Sequence, residues 1–482
     1  FTRSAGAVMA GMTPLSRVKG ANSDIRMGVI GLGSTVKIGG KGKQDLKLFS
    51  ALPGVRVTAV CDVDRTILET EAGKLKAAGR PVEAYGDFRK LLDSREVDAV
   101  VITTPNHWHA VMTVMACQAG KDVYVQKPAS HNLWEGRKMV EAAVRYRRVV
   151  ACPHGSRGAT GFAEALEFVR AGALGRVLLV QGVNYKPRTS IGKVAGPQPV
   201  PPAIDYDLWC GPAPMKPLRR QYLHYDWHWD WDYGDGDLGN MGIHYLDACR
   251  WAAGQRTLPE RVIAVGGRFG YDDDGQTPNT LIGFFDYRPA PIVFEVRGLP
   301  QNRAFREQDW ERNARLSMDQ YMGMQIGAIV HCENGYLAGS QAFDPRGRLI
   351  KRFEPTNQDT ASDFIRRVRE RNLDPHGADV LEAHLSAALV HMLNISYRTG
   401  KRTLPGQIRE AVRGDKPMLA SYERFLDHMY ANRIDLEKDP AILGAALTMN
   451  PAEERFTGAF GAEANRLLRG AYRKPFELPE RI

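Results

Sequence analysis

The amino-acid sequence predicts an α/β protein in two units: a doubly wound parallel sheet over 24–152, then an α+β unit over 153–400 on an antiparallel or mixed sheet. Three observations predict it. Short β-rich runs alternate with helical stretches up to about residue 152, a glycine turn Gly31-Leu32-Gly33 follows the first run, and beyond residue 177 strands succeed one another with few helices between. At 482 residues the chain is also too long for one ordinary core.

In the first unit, 25–31, 55–61, 99–102, 123–125 and 149–152 read as strands, with helical length and periodicity at 66–78, 107–119 and 133–146. Right-handed crossovers then make the sheet parallel. In the second unit a helix near 161–171 and a strand near 177–183 lead into a loop rich in proline and aromatics, 186–237. A helix carrying Gly239 to Asp247 follows, and strands are expected near 262–269, 281–285, 292–296 and 328–331. Helices at 360–371 and 379–397 close the unit, with Gly400 placed to supply a left-handed stop. Residues 401–482 carry prolines and arginines and are expected to wrap the surface.

Composition narrows the function classes. An apolar fraction of 43% and a charged fraction of 25% are those of a globular protein, and no apolar run reaches the roughly 18 residues that span a bilayer. The net charge of +10 is spread among acids along the whole length, and no nucleic-acid motif accompanies it, so neither a nucleic-acid partner nor a membrane span is expected. Clusters such as Arg366-Arg367-Val368-Arg369 read as the solvated face of a helix. The six cysteines (61, 117, 152, 210, 249 and 332) are widely spaced and read as small buried hydrophobes, not ligands or disulfides. Residues 1–23, from Phe1-Thr2-Arg3-Ser4 through a small-residue apolar stretch, are similar to the latter part of a twin-arginine export signal. Periplasmic export is the expectation; a cytoplasmic protein with an N-terminal arm is the alternative.

Six groups of residues carry chemistry. Gly31 and Gly33 let backbone amides approach a pyrophosphate at a helix N-terminus, with Ser34 beside them; the third glycine of such a turn is displaced to Gly40 or Gly42. Asp62 ends the second strand, where a carboxylate bonds an adenine-side ribose and disfavours a 2′-phosphate, so NAD is expected; Arg65 keeps NADP open. Thr104, Pro105, Asn106 and His109 follow the third run at the carboxyl edge, where they reach the nicotinamide ribose or simply cap a helix. Lys127, between Gln126 and Pro128, ends another strand and can polarise a reacting hydroxyl.

His244 has Asn240 four residues before it and Asp247 three after, on one helical face, which supplies a proton acceptor near neutral pH with orienting partners. No ligand spacing supports a metal site at His224, His228 and His244. The run from Tyr225 to Asp237 interleaves aromatics, Trp227 among them, with carboxylates and His228. Aromatic faces cover sugar rings and carboxylates bond hydroxyls, so the run suits a polyol; the alternative is a plug at the domain interface. Together these clusters suggest hydride transfer between a nicotinamide and an alcohol carbon.

With these residues in place, the chain from Ile25 onward resembles the Gfo/Idh/MocA family of nicotinamide-dependent sugar and polyol oxidoreductases. Gly31-Leu32-Gly33, Asp62, Thr104-Pro105-Asn106 with His109, Lys127-Pro128 and the His244 to Asp247 helix carry the resemblance. It implies a Rossmann domain followed by a domain with an open-faced, mainly antiparallel sheet, Lys127 and His244 as the catalytic pair, a carbohydrate substrate, and a sheet face used for homo-oligomers. Two positions depart from the family pattern: Gln126 stands where Glu is common, and Asn240 where Asp is common. Some members of the family keep NAD bound and hydrolyse glycosides by transient oxidation and elimination; that activity, and nucleotide binding without catalysis, are the alternatives.

Overall fold

The computed structural model describes residues 24–34, 39–153, 161–306, 314–355, 359–373 and 378–482. The export-like arm and positions 35–38 of the glycine-turn insertion lie outside the described residues.

Apolar residues that alternate with helices build the parallel sheet. Its strands are β1 (Ile25–Ile30), β2 (Val55–Cys61), β3 (Glu83–Tyr85), β4 (Ala99–Ile102), β5 (Asp122–Val125) and β6 (Val150–Ala151). The order β3-β2-β1-β4-β5-β6 is doubly wound, with reversal between β1 and β4. Helices α1 (Lys41–Ala51), α2 (Arg65–Ala77), α3 (Phe88–Asp93), α4 (Asn106–Gln118) and α5 (Leu133–Arg145) connect them. β4 is buried along its length, because helices cover both faces of a central parallel strand. Strand β3 and helix α3 escape periodicity, since they have only three and six residues.

The second sheet begins after α6 (Phe162–Arg170) with β7 (Val177–Tyr185). The connection that follows, expected as a loop, contains α7 (Tyr206–Cys210) and a 3-10 turn, Asp226–Trp229. Next come α8 (Ile243–Ala252), β8 (Arg261–Gly267), β9 (Thr280–Phe285) and β10 (Ile292–Arg297). After the short helices α9 (Arg303–Arg306) and α10 (Ala314–Ser317) stand β11 (Ile326–Cys332), β12 (Gly335–Ala338), β13 (Gln341–Phe343) and β14 (Leu349–Arg352). The sheet is mixed: β10 pairs with β7 in parallel, whereas β8–β9, β9–β10, β7–β11 and the meander to β14 are antiparallel.

Two late helices have different loyalties. α11 (Thr360–Glu370) returns to the first unit, where Ala361, Phe364, Ile365 and Val368 join Phe49 and Tyr124 in one apolar cluster. α12 (Ala378–Arg398) packs on α5, α8 and β8 and so bridges the two sheets. Gly400 is not left-handed; a side chain there would meet the Leu443 carbonyl at 2.4 Å, so close backbone approach is what demands glycine.

Residues 401–482 do more than wrap the surface. They add β15 (Lys401–Arg402), β16 (Ile442–Leu443) and β17 (Leu447–Asn450) to the second sheet, with β18 (Arg455–Thr457) paired to β17. Helices α13 (Pro405–Val412) and α14 (Lys416–Ala431) then cover the face carrying Ile263, Val265, Phe284 and Val293. That face is therefore not open where these four side chains stand, because bare they would expose a large apolar patch. No described helix is long and apolar enough to cross a membrane.

Candidate active site

The carboxyl ends of β1, β2, β4 and β5 open into one cleft of about 740 Å3, and the 186–237 connection folds over it. Backbone pairing fixes that cover: Arg65 N–H donates to the Ala203 carbonyl, Asp205 N–H to the Val63 carbonyl, and His224 Nε2 lies 3.0 Å from Asp64 Oδ2.

At the nucleotide end, Gly31 (φ 85°) and Gly33 (φ 100°) occupy the left-handed region. A Cβ on Gly42 would lie 2.1 Å from the Gly31 carbonyl oxygen, whereas one on Gly40 would meet nothing nearer than 3.8 Å. Of the two candidates for the third glycine, Gly42 is thus the one that lets α1 close on the turn. The first turn of α1 holds no acidic residue, and Asp62 lines the cleft beside it. Asp62 Oδ2 accepts from Leu32 N–H (2.7 Å) and Oδ1 from Asp64 N–H (2.9 Å), which fixes the carboxyl and leaves lone pairs for hydroxyl donors. Burial raises its pKa, against those two donors. These features fit a dinucleotide: a glycine cradle, a helix N-terminus without competing acid, and an anchored ribose acceptor. Ser34, expected in the same group, is buried and does not line the cleft; its carbonyl accepts from Lys43 Nζ at 2.6 Å.

At the edge of β4, Thr104, Pro105, Asn106 and His109 all line the cleft. Two of them are also tied into the frame. Asn106 Nδ2 donates to Asp235 Oδ2 (2.9 Å), and the His109 ring lies between the carbonyls of Pro128 (2.7 Å) and Thr104 (2.8 Å). Burial pushes His109 down to about 4, so the neutral ring donates to one carbonyl only, and it braces the lysine turn against the β4 turn.

Lys127 lies two residues past β5 inside the same cleft, and its Nζ donates to the backbone carbonyl of Asn240, with Asn240 Oδ1 at 3.5 Å. That carbonyl is presented by a π-helical turn, Leu238–Gly242, which precedes α8 where a continuous α-helix was expected. The wider turn displaces Asn240 from the regular four-residue stack over His244, yet both side chains line the cleft. Burial, with Arg188 and Lys186 nearby, pushes the Lys127 amine down to about 7. Asp247 is fully buried away from the cleft and accepts from Ser386 Oγ on α12 at 2.6 Å. It anchors the histidine helix to α12 and does not reach the cleft.

Of the aromatic connection, Tyr225, Trp227 and His228 line the cleft, with the His228 ring stacked on Trp227 at 3.7 Å. Burial lowers His228 to about 3, so its ring is neutral. The carboxylates of this run point elsewhere, contrary to the expected polyol lining. Asp226 accepts from Tyr222 N–H, Asp230 from Asp232 N–H, Asp232 pairs with Lys216, Asp235 holds Asn106, and Asp237 pairs with Arg188. Four are spent on folding the connection, as its aspartate-rich turns require, and Asp235 ties it to α4. Residues that sequence reasoning missed are Lys186, Met241 and Trp209, all in the cleft wall, which Thr103 of the β4 edge also joins. Thr103 Oγ1 donates to the Gly31 carbonyl and ties the glycine turn to β4. The signal for Lys186 was its place just past the carboxyl end of β7.

A glycine cradle facing a strand-end lysine and a helical histidine across one cleft fits a nicotinamide nucleotide at one end and a reacting group at the other. Residues 25–154 match the family described as oxidoreductase family, NAD-binding Rossmann fold, and 166–273 match its C-terminal alpha/beta domain. The chain belongs to the Gfo/Idh/MocA oxidoreductase family. Among curated relatives, a glycosyl hydrolase family 109 protein of Saccharopolyspora erythraea is 32% identical over 167 residues, 34% of this chain and 35% of the relative. Another, from Streptomyces filamentosus, is 37% identical over 148 residues, 30% of this chain and 28% of the relative. The match thus spans about a third of the length of these relatives. Among solved structures, the WlbA dehydrogenase of Bordetella pertussis, in complex with NADH and UDP-GlcNAcA, shares 15% identity with a TM-score of 0.51 over 75% of this chain and 93% of that one. An aldose-aldose oxidoreductase of Caulobacter crescentus, complexed with glycerol, shares 18% with a TM-score of 0.51 over 77% and 97%. At these identities the likeness establishes the fold.

Proposed function

We propose that this NAD-binding oxidoreductase acts on a secondary hydroxyl of a sugar or polyol. The observation that carries the reading is the convergence of Lys127 and His244 on the cleft that Gly31, Gly33 and Asp62 also line. NAD(H), when bound, supplies the hydride acceptor or donor. Lys127, with a proton affinity near neutrality, bonds the substrate oxygen and stabilises its developing charge. His244 takes or returns the hydroxyl proton, Asn240 orients the substrate, and the Tyr225, Trp227 and His228 faces hold the ring. The test is nucleotide content of purified protein followed by NADH formation on a sugar panel; protein without nucleotide affinity, or loaded protein inert on every sugar, overturns the reading.

The names of the curated relatives favour a second activity, cleavage of glycosides through transient oxidation. Release of an aryl leaving group without net NADH would select it over the first. The proposal includes export of the folded protein and self-association, which cell fractionation and sedimentation test.

A further inference from the structure

Resting on that reading, we infer that the substrate carries an anionic group, and that Lys186 receives it. Asp62, at the nucleotide end, is the only carboxylate in the described wall of the cleft. At the other end stand Lys127 and Lys186, with no acid among the described residues to accept hydroxyl protons from a neutral sugar. The aspartates of the aromatic connection are all turned away, as described above. Arg188, the next cation outward, is neutralised by Asp237. Lys186 has no salt bridge among the described residues: it lies half-buried on the wall, its hydrogen-bond contact is the Met241 thioether at 3.8 Å, a weak acceptor, and Asp237 acts on it only as a nearby charge. Burial and Arg188 lower its pKa, and Lys186 in turn depresses Lys127. A partly buried ammonium facing a second amine across a ligand cavity, with Asp237 offsetting only part of its cost, is fully compensated once an anion arrives.

Carbohydrates offer two such groups, the carboxylate of a uronate or aldonate and the phosphoryl of a sugar phosphate. A single ammonium with no guanidinium fork and no helix N-terminus beside it suits the carboxylate, which needs one charge compensated. Met241 and Lys186 adjoin Asn240, so the anion would sit beside the reacting carbon and not at the far end of the ring.

The experiment uses the full chain loaded with NAD and three probes matched in stereochemistry: glucose, glucuronate and glucose 6-phosphate. Binding is read by calorimetry at two salt concentrations, and turnover by NADH formation. We expect glucuronate to bind and react at least about 10-fold better than glucose, with the advantage shrinking at high salt. In Lys186→Met the advantage should collapse through KM, while Lys186→Arg keeps most of it. A phosphate preference over glucuronate reassigns the group but keeps the lysine. Equal handling of glucose and glucuronate by the wild-type protein, or an unchanged ratio in Lys186→Met, overturns the inference. Should Lys186→Met fail to fold, the wild-type ratio and its salt dependence decide alone. Turnover of neutral sugars without acid preference sinks this inference and leaves the oxidoreductase reading standing; acid-selective binding without turnover on any sugar does the reverse.

Discussion

The amine of Lys127 has been moved from the ordinary lysine value of 10.5 to about 7 by burial and by the neighbouring cations Arg188, Lys186 and Lys41. A group poised there exchanges a proton readily at physiological pH, which is where an acid–base catalyst is most effective. The pH dependence of kcat/KM should therefore contain an ionisation near 7, and removal of Lys186 should move that ionisation upward, because one source of like charge is gone. Lys127→Ala and His244→Ala should each lower turnover by about 10²-fold with nucleotide binding retained, as stopped turnover assays and calorimetry would show. Gln126 makes a different case. Its Nε2 donates to Asp45 Oδ2 at 2.7 Å, and both side chains are buried. Asp45, whose pKa is raised by burial, supplies from α1 the carboxylate that family members commonly carry at position 126. Gln126→Glu should thus set two buried carboxylates against each other and cost about 2 kcal/mol in denaturant unfolding, and Asp45→Asn in the same chain should recover it.

Among elements, the glycine turn is the one whose chemistry sequence could announce but not complete. Gly31 and Gly33 were legible from spacing, while the choice between Gly40 and Gly42 depends on which one touches β1, a fact of tertiary approach. Gly42→Ala should weaken NAD binding at least about 10-fold and lower the Tm, whereas Gly40→Ala should leave both nearly unchanged; equal effects would contradict the packing role. Strand β4 falls where its apolar run predicts, because a buried parallel strand is written as continuous hydrophobicity, and β2 is announced by its β-branched residues although Arg56 and Thr58 interrupt the run. The π turn before α8 was not legible, since Leu238 to Gly242 has no composition that separates π from α; it is the turn that presents the Asn240 carbonyl to Lys127. The aromatic run was half legible. Its rings reach the ligand space in part, but the direction of its aspartates was decided by turn hydrogen bonds and by Arg188 and Lys216, which pattern alone does not reveal.

At the scale of the molecule, the two sheets are fastened by contacts far apart in the chain. Glu454 accepts from Arg137 Nε of α5 (3.1 Å) and from His384 Nε2 of α12 (2.8 Å). Burial lowers the His384 pKa, against the upward pull of Glu454. These partners hold the Glu454 carboxyl at about 2 against an ordinary 4.5. The depressed value means that its stabilisation is complete above about pH 4.5 and is lost as pH falls toward 2, so Glu454→Gln should flatten the acid limb of an unfolding-versus-pH curve by about 2 kcal/mol. The C-terminal tail is a second fastening: Phe476 packs on Trp108 at 5.0 Å, Lys138 Nζ donates to the Glu480 carbonyl, and Arg473 Nε donates to the Gly211 carbonyl. Since Trp108 also lines the cleft, deleting 473–482 should cost about 3 kcal/mol or more in stability and weaken nucleotide affinity too.

The contact between the Lys127 ammonium and the Asn240 carbonyl joins a strand of one half to a helical turn of the other. Its basicity is accordingly a property of the docked arrangement and not of the strand that bears it. Were the halves to swing apart, water would flood around the amine and return it toward the alkalinity of a free side chain. A hinge between the halves would gear proton affinity to its angle, so that release of product and resetting of the amine became one movement.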